Sequence, residues 1–95
     1  MGYYIETKTN FGKADIIRNE NNGVSIPRPY SFSEIPPDKG LICIIDNGMF
    51  EAAAFCYNEQ EFEAFNDLED TRRKSWVIIP RDKAEQLSGY KRNEK

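Results

Sequence analysis

The stretch LICIIDNGMFEAAAFCY, Leu41 to Tyr57, decides the fold. Two apolar runs flank Asn47-Gly48, a pair whose residues both tolerate the positive φ of a type I′ turn, so the pattern predicts a β-hairpin. With a two-residue turn, Ile45 faces Phe50, Cys43 faces Ala52 and Leu41 faces Ala54, all on one side of the sheet. That side is wholly apolar, and its alanines admit a helix at close range. The other side carries Ile42, Ile44, Met49, Ala53, Phe55 and Tyr57 with Asp46 and Glu51. A sheet with helices on one side alternates apolar and polar residues. Here the second face is mostly apolar too, so something must cover it. The cover is either the chain itself or another molecule, a second copy or a foreign partner. From the chain, the 24–40 segment with Tyr30 and Phe32 could serve, or a last helix with Leu87 and Tyr90. A one-residue slip in the turn exchanges the faces but makes neither of them polar.

Outward from the hairpin, GYYIET predicts a strand at Tyr3–Thr7. Asn10 is placed to cap a helix through Asn19 with Phe11, Ala14 and Ile17 on one side, stopped by Asn21-Asn22-Gly23. Val24–Ile26 reads as a short edge strand. Prolines at 27, 29, 36 and 37 keep the following segment irregular. That segment is either a packed connection or a recognition loop carrying Arg28, Tyr30 and Phe32. Asn58 with Glu61 marks a helix start, and Glu59–Leu68 buries Phe62 and Phe65. SWVIIP gives a strand at Trp76–Ile79, and Asp82 with Glu85 suggests a second cap for a short helix closing at Gly89. The expectation is one α+β domain over residues 1–90 and a frayed tail over 91–95. Its sheet is antiparallel or mixed, with helices mainly on one face. The specific candidate is a ferredoxin-like βαββαβ arrangement plus a C-terminal helix.

Composition narrows the chemistry. The 95 residues suffice for a single domain, and 13% aromatic content can supply much of its core. A formal charge of −3 argues weakly against a dedicated nucleic-acid binder. There is no apolar run of membrane-spanning length, no signal-peptide pattern at MGYYIETKTN, and no complete myristoylation motif, so a cytoplasmic location is expected. There is no histidine, which removes the commonest general base and the commonest metal ligand. Cys43 and Cys56 share a face in the predicted register but stand four positions apart, too far for a disulfide, so both read as packing thiols. Glu51 among apolar neighbours reads as a rim residue before a general acid. Gly12-Lys13 lacks the rest of a phosphate loop. The acids at 59, 61, 63, 67, 69 and 70 lack calcium-loop spacing. Neither cofactor nor metal is expected. Arg72, Arg73 and Lys74, with Arg81 and Lys83, bracket Trp76, an arrangement suited to phosphate contact and base stacking. Neighbouring acids dilute it.

MGYYIET, IDNGMFEAAAFCYNEQEFEAF and KSWVIIPRDKAEQLSGY together resemble small uncharacterised α/β proteins encoded by bacteriophages and prophages. The likeness weakens between about Asn19 and Asp38 and brings no catalytic residues with it. It implies a bacterial host cytoplasm as the workplace and action by binding a host or phage macromolecule. The combined expectation is a non-enzymatic accessory protein that binds a protein partner or self-associates, or modulates a host factor. Its contact residues would be Ile42, Ile44, Phe55 and Tyr57 on the second face, with Arg28 and Tyr30 on the loop. The alternative is a nucleic-acid-associated protein using Arg72, Arg73, Lys74 and Trp76.

Overall fold

A run of five apolar residues, Leu41–Ile45, has no polar face to turn to water, so it belongs in the middle of a sheet with cover above and below. The computed structural model, which describes residues 13–46, 48–49, 51–67 and 73–90, places it there. The predicted strand at Tyr3–Thr7, the helix start at Asn10, Leu68, Arg72 and the 91–95 tail lie outside the described residues.

Among the described residues, four antiparallel strands, β1 (Val24–Ile26), β2 (Lys39–Asp46), β3 (Glu51–Cys56) and β4 (Arg73–Pro80), form a sheet in the order β1-β4-β2-β3. With two α-helices, α1 (Glu59–Asn66) and α2 (Arg81–Ser88), this is a small α+β domain. The ferredoxin-like order is not formed, because β4 pairs directly with β2, Leu41 opposite Ile78 and Cys43 opposite Trp76. The reason is the doubly apolar β2, which requires a neighbour on each side as well as a layer on each face.

The hairpin turn is longer than predicted. The last pair of the ladder is Asp46 with Glu51, where a two-residue turn would set Asp46 opposite Met49. The Asp46 carboxylate accepts the Gly48 amide at 2.8 Å, and Gly48 takes φ +93°. This is an aspartate closing its own turn two residues on. The register moves by two positions, so Ile45 faces Ala52 and Cys43 faces Ala54. An even shift leaves the paired side chains of β2 and β3 on their predicted faces.

Helical segments cover both faces, rather than mainly one. On the first face, Phe62 and Phe65 of α1 lie over Leu41, Cys43, Ile45, Ala54, Cys56 and Trp76, joined by Ile26, Phe32 and Ile35 from the proline-rich connection. Phe32 approaches Phe62 at 6.4 Å between ring centroids. On the second face, Ala14 and Ile17 of an N-terminal helical turn and Ala84 of α2 cover Ile42, Ile44, Ala53, Phe55, Val77 and Ile79. That turn runs Ala14-Asp15 in α geometry and Ile16–Glu20 in the wider π geometry. It is closed where expected: the Asn21 side chain donates to Ile16 O at 2.9 Å, and the Gly23 amide to Ile17 O at 2.9 Å.

The caps follow local chemistry in part. Asn58 Oδ1 accepts the Glu61 amide at 2.8 Å, as the sequence predicts for α1. α2 begins at Arg81 directly after Pro80, so the predicted cap at Asp82 falls inside its first turn. The Arg81 amide donates instead to Asp38 O at 2.9 Å. Gly89, at φ +80°, ends α2 by donating to Glu85 O. Gly40 lets α2 approach the sheet: a Cβ there would stand 2.6 Å from Ala84 Cβ.

Candidate functional site

Ile42 and Phe55 are 0% exposed and Ile44 is 1% exposed, so these three are core residues and not contact residues. The second face is greasy because the chain roofs it with its own N-terminal turn and α2. Tyr57 is half-buried at the margin of the same core. Its ring stacks on Tyr90 at 3.8 Å and 16°, and its hydroxyl reaches Glu61 Oε2 at 3.5 Å. Arg28 and Tyr30 are exposed, Tyr30 at 89%.

Of the residues of the alternative reading, Trp76 and Lys74 are engaged within the fold. Trp76 is 5% exposed and packs against Phe62 at 5.4 Å, which leaves its indole face no room for a nucleobase. Lys74 Nζ donates to Phe65 O at 3.0 Å and to Asn66 O at 2.8 Å. It thereby satisfies carbonyls at the C-terminal end of α1, where a cation also suits the helix dipole. Arg73 is exposed and stands opposite Asp46 in the ladder.

What the fold does bring together is Arg28 and Lys74. Arg28 Nη1 donates to Asn66 Oδ1 at 3.1 Å, so the two cations meet at one residue. The β1–β4 ladder, with Ser25 opposite Val77 and Ile26 opposite Trp76, brings the start of the proline-rich segment beside residues 74–76. A depression of about 540 Å³ lies there, walled by Ser25, Pro27, Arg28, Lys74, Ser75 and the rim of Trp76. Across the Ile26–Arg28 ridge is a second cleft of about 230 Å³, with Pro29, Ile35, Pro36 and Ile78 as its apolar wall and Glu34 at its edge. Pro29 is buried and anchors the segment. The Glu34 carboxylate accepts the Tyr30 amide at 3.2 Å, and the Ser31 and Ser33 hydroxyls are 2.8 Å apart. These contacts give the loop a defined shape with the Tyr30 ring turned outward.

The reactive groups are quiet by comparison. Cys43 is buried, and desolvation pushes its thiol up to about 12 against a weaker opposing pull from Lys74. Burial pushes Cys56 up as well, with Cys43 and Glu61 adding to the effect. A nucleophilic thiol requires the opposite shift. Both thiols are free, although they stand two positions apart on neighbouring strands and not four. Glu51 Oε1 accepts from Arg18 Nη1 at 2.8 Å, with about a third of each side chain exposed, which makes it a rim ion pair. Among the described residues no group of three or more Cys, Asp or Glu side chains is gathered for a metal ion. Nor is any helix there long and apolar enough to cross a membrane.

Comparison with protein-family models, with curated proteins and with solved structures finds no match to this chain.

Proposed function

We propose that this protein is a non-enzymatic protein-interaction module that docks a partner through the proline-rich segment between β1 and β2. The observation that carries this reading is the Tyr30 ring, 89% exposed on a segment whose neighbours Pro29, Phe32 and Ile35 are packed down. A large ring held in water by a shaped loop, with an Arg two residues away and an apolar cleft beside it, is the composition of an interface anchor. The partner surface therefore moves from the second sheet face, which the fold closes, to the other site named by the sequence, Arg28 and Tyr30. The resemblance to phage and prophage proteins supports a bacterial cytoplasm as the workplace and a host or phage protein as the partner. The nucleic-acid reading loses Trp76 to the core and Lys74 to the end of α1.

The test is affinity capture from bacterial lysate with the wild-type chain and with Arg28→Glu/Tyr30→Ala. The reading expects a partner retained by the first and lost by the second, while both unfold at the same urea concentration. Equal capture by both, or a wild-type chain that stays monomeric across a concentration series and retains nothing, would count against it.

A further inference from the structure

We propose that a second copy of this chain docks on this surface, the two related by a two-fold axis so that each Tyr30 ring enters the other's apolar cleft. The inference rests on the docking reading above and names a partner for that same site. The cleft, of about 230 Å³, is walled by Ile35, Pro36 and Ile78 and carries one charge of each sign, Arg28 and Glu34. Tyr30 flanks this cleft without lining it, and its ring is 89% exposed. The loop thus presents an aromatic knob beside an apolar hole large enough for one ring. Val24, 57% exposed, stands opposite Ile78 in the β1–β4 ladder and extends the apolar patch.

A two-fold interface sets residue i against j and j against i, so a charged patch serves itself only when it holds both signs. Arg28 and Glu34 meet that condition. About the axis each Arg28 faces the partner's Glu34, and the contact forms twice. Both side chains are already positioned. Arg28 Nη1 donates to Asn66 Oδ1 at 3.1 Å, and the Glu34 carboxylate accepts the Tyr30 amide at 3.2 Å. Neither bond exhausts its group, since a guanidinium carries five N–H donors and a carboxylate accepts several. A foreign protein would have to bring a ring and an opposed pair of charges at the right separation. A second copy brings both. Because the same residues serve each purpose, self-association and the docking of another protein exclude one another.

Sedimentation velocity on the full chain, from low-micromolar to millimolar concentration, should show a reversible monomer–dimer equilibrium. Tyr30→Ala should weaken it about thirtyfold, the scale of an aromatic anchor. Arg28→Glu and Glu34→Arg should each weaken it about tenfold, because two surface ion pairs become repulsive. The charge swap Arg28→Glu/Glu34→Arg should restore association, a recovery that damage to the fold would not give. In a mixture of unlabelled copies with copies carrying ¹³C-labelled isoleucine methyls, the Tyr30 ring should give intermolecular NOEs to Ile35 and Ile78. A monomer at millimolar concentration, association indifferent to either charge reversal, no recovery in the swap, or NOEs confined to other methyls would overturn the proposal. Were the chain to stay monomeric while a lysate protein is captured by the wild type and lost by Arg28→Glu/Tyr30→Ala, the second copy would be the wrong occupant and the docking surface would stand.

Discussion

The seating of α2 decides whether the second sheet face is core or surface, and Gly40 with Ala84 can test it. Replacing Gly40 by Ala puts a Cβ 2.6 Å from Ala84 Cβ and 3.3 Å from Phe55 Cε1. The first distance is well inside contact. The strand conformation at Gly40 carries no penalty of its own for alanine. Overpacking of this kind costs about 1–3 kcal/mol. Ala84→Gly removes the opposing methyl and costs about 1 kcal/mol in helix propensity plus about 0.8 kcal/mol for the lost buried carbon. In the double variant the new Cβ occupies the space that the old one vacated, and only the tolerable approach to Phe55 remains. The two effects should therefore fall short of their sum by about 1–2 kcal/mol, within the range for residues in contact. Urea melts followed by the fluorescence of the single tryptophan, Trp76, report this directly, since that indole is buried in the native state. In thermal melts each kcal/mol should appear as about 4–8 °C. Strict additivity would refute the packing of α2 over Gly40. Ile42, Ile44 and Phe55 would then return as candidates for an exposed contact face.

Other expectations follow from single contacts. Both cysteine thiols have folded pKa values raised above the ordinary value of 9.0, Cys43 to about 12. Above pH 9 the unfolded chain therefore sheds protons that the folded chain keeps, and stability falls as pH rises toward 12. The slope is about 1.4 kcal/mol per pH unit for each thiol, and Cys43→Ala/Cys56→Ala should flatten the profile measured by urea melts between pH 9 and 10.5. Asn58→Ala removes the acceptor of the Glu61 amide and should cost about 1 kcal/mol, with Asn58→Ser recovering most of it. Lys74→Met strips the α1 carbonyls of their donor. It should cost about 1–2 kcal/mol in urea melts and speed amide exchange in α1, whereas an unchanged midpoint would mean that water replaces the ammonium at no cost.

Local chemistry was legible where a few adjacent residues suffice. The hairpin at Leu41–Tyr57, the Asn58 cap, the stop at Asn21–Gly23 and the Gly89 terminus all follow from side chains acting within a turn or two of their own position. One error is local and the other is not. The turn lengthened because Asp46 bonds Gly48, and α2 started early because Asp38 supplied an acceptor from across the fold. The candidate site was named only in halves. Arg28 and Tyr30 stood in one set, Lys74 and Trp76 in the other, and no sequence signal joined them. Their meeting depends on the pairing of Ile26 with Trp76, fifty positions apart, in a strand of three residues. The hydrophobic pattern of so short a strand does not fix a partner.

By itself the sequence determined that one strand is apolar on both sides and that two layers must enclose it, because water cannot be left against either face. Which segments form those layers was decided only in three dimensions. The proline-rich connection crosses the α1 side, while the N-terminal turn and α2 take the other. Burial depends on what stands opposite a residue, and a linear pattern states only that something must.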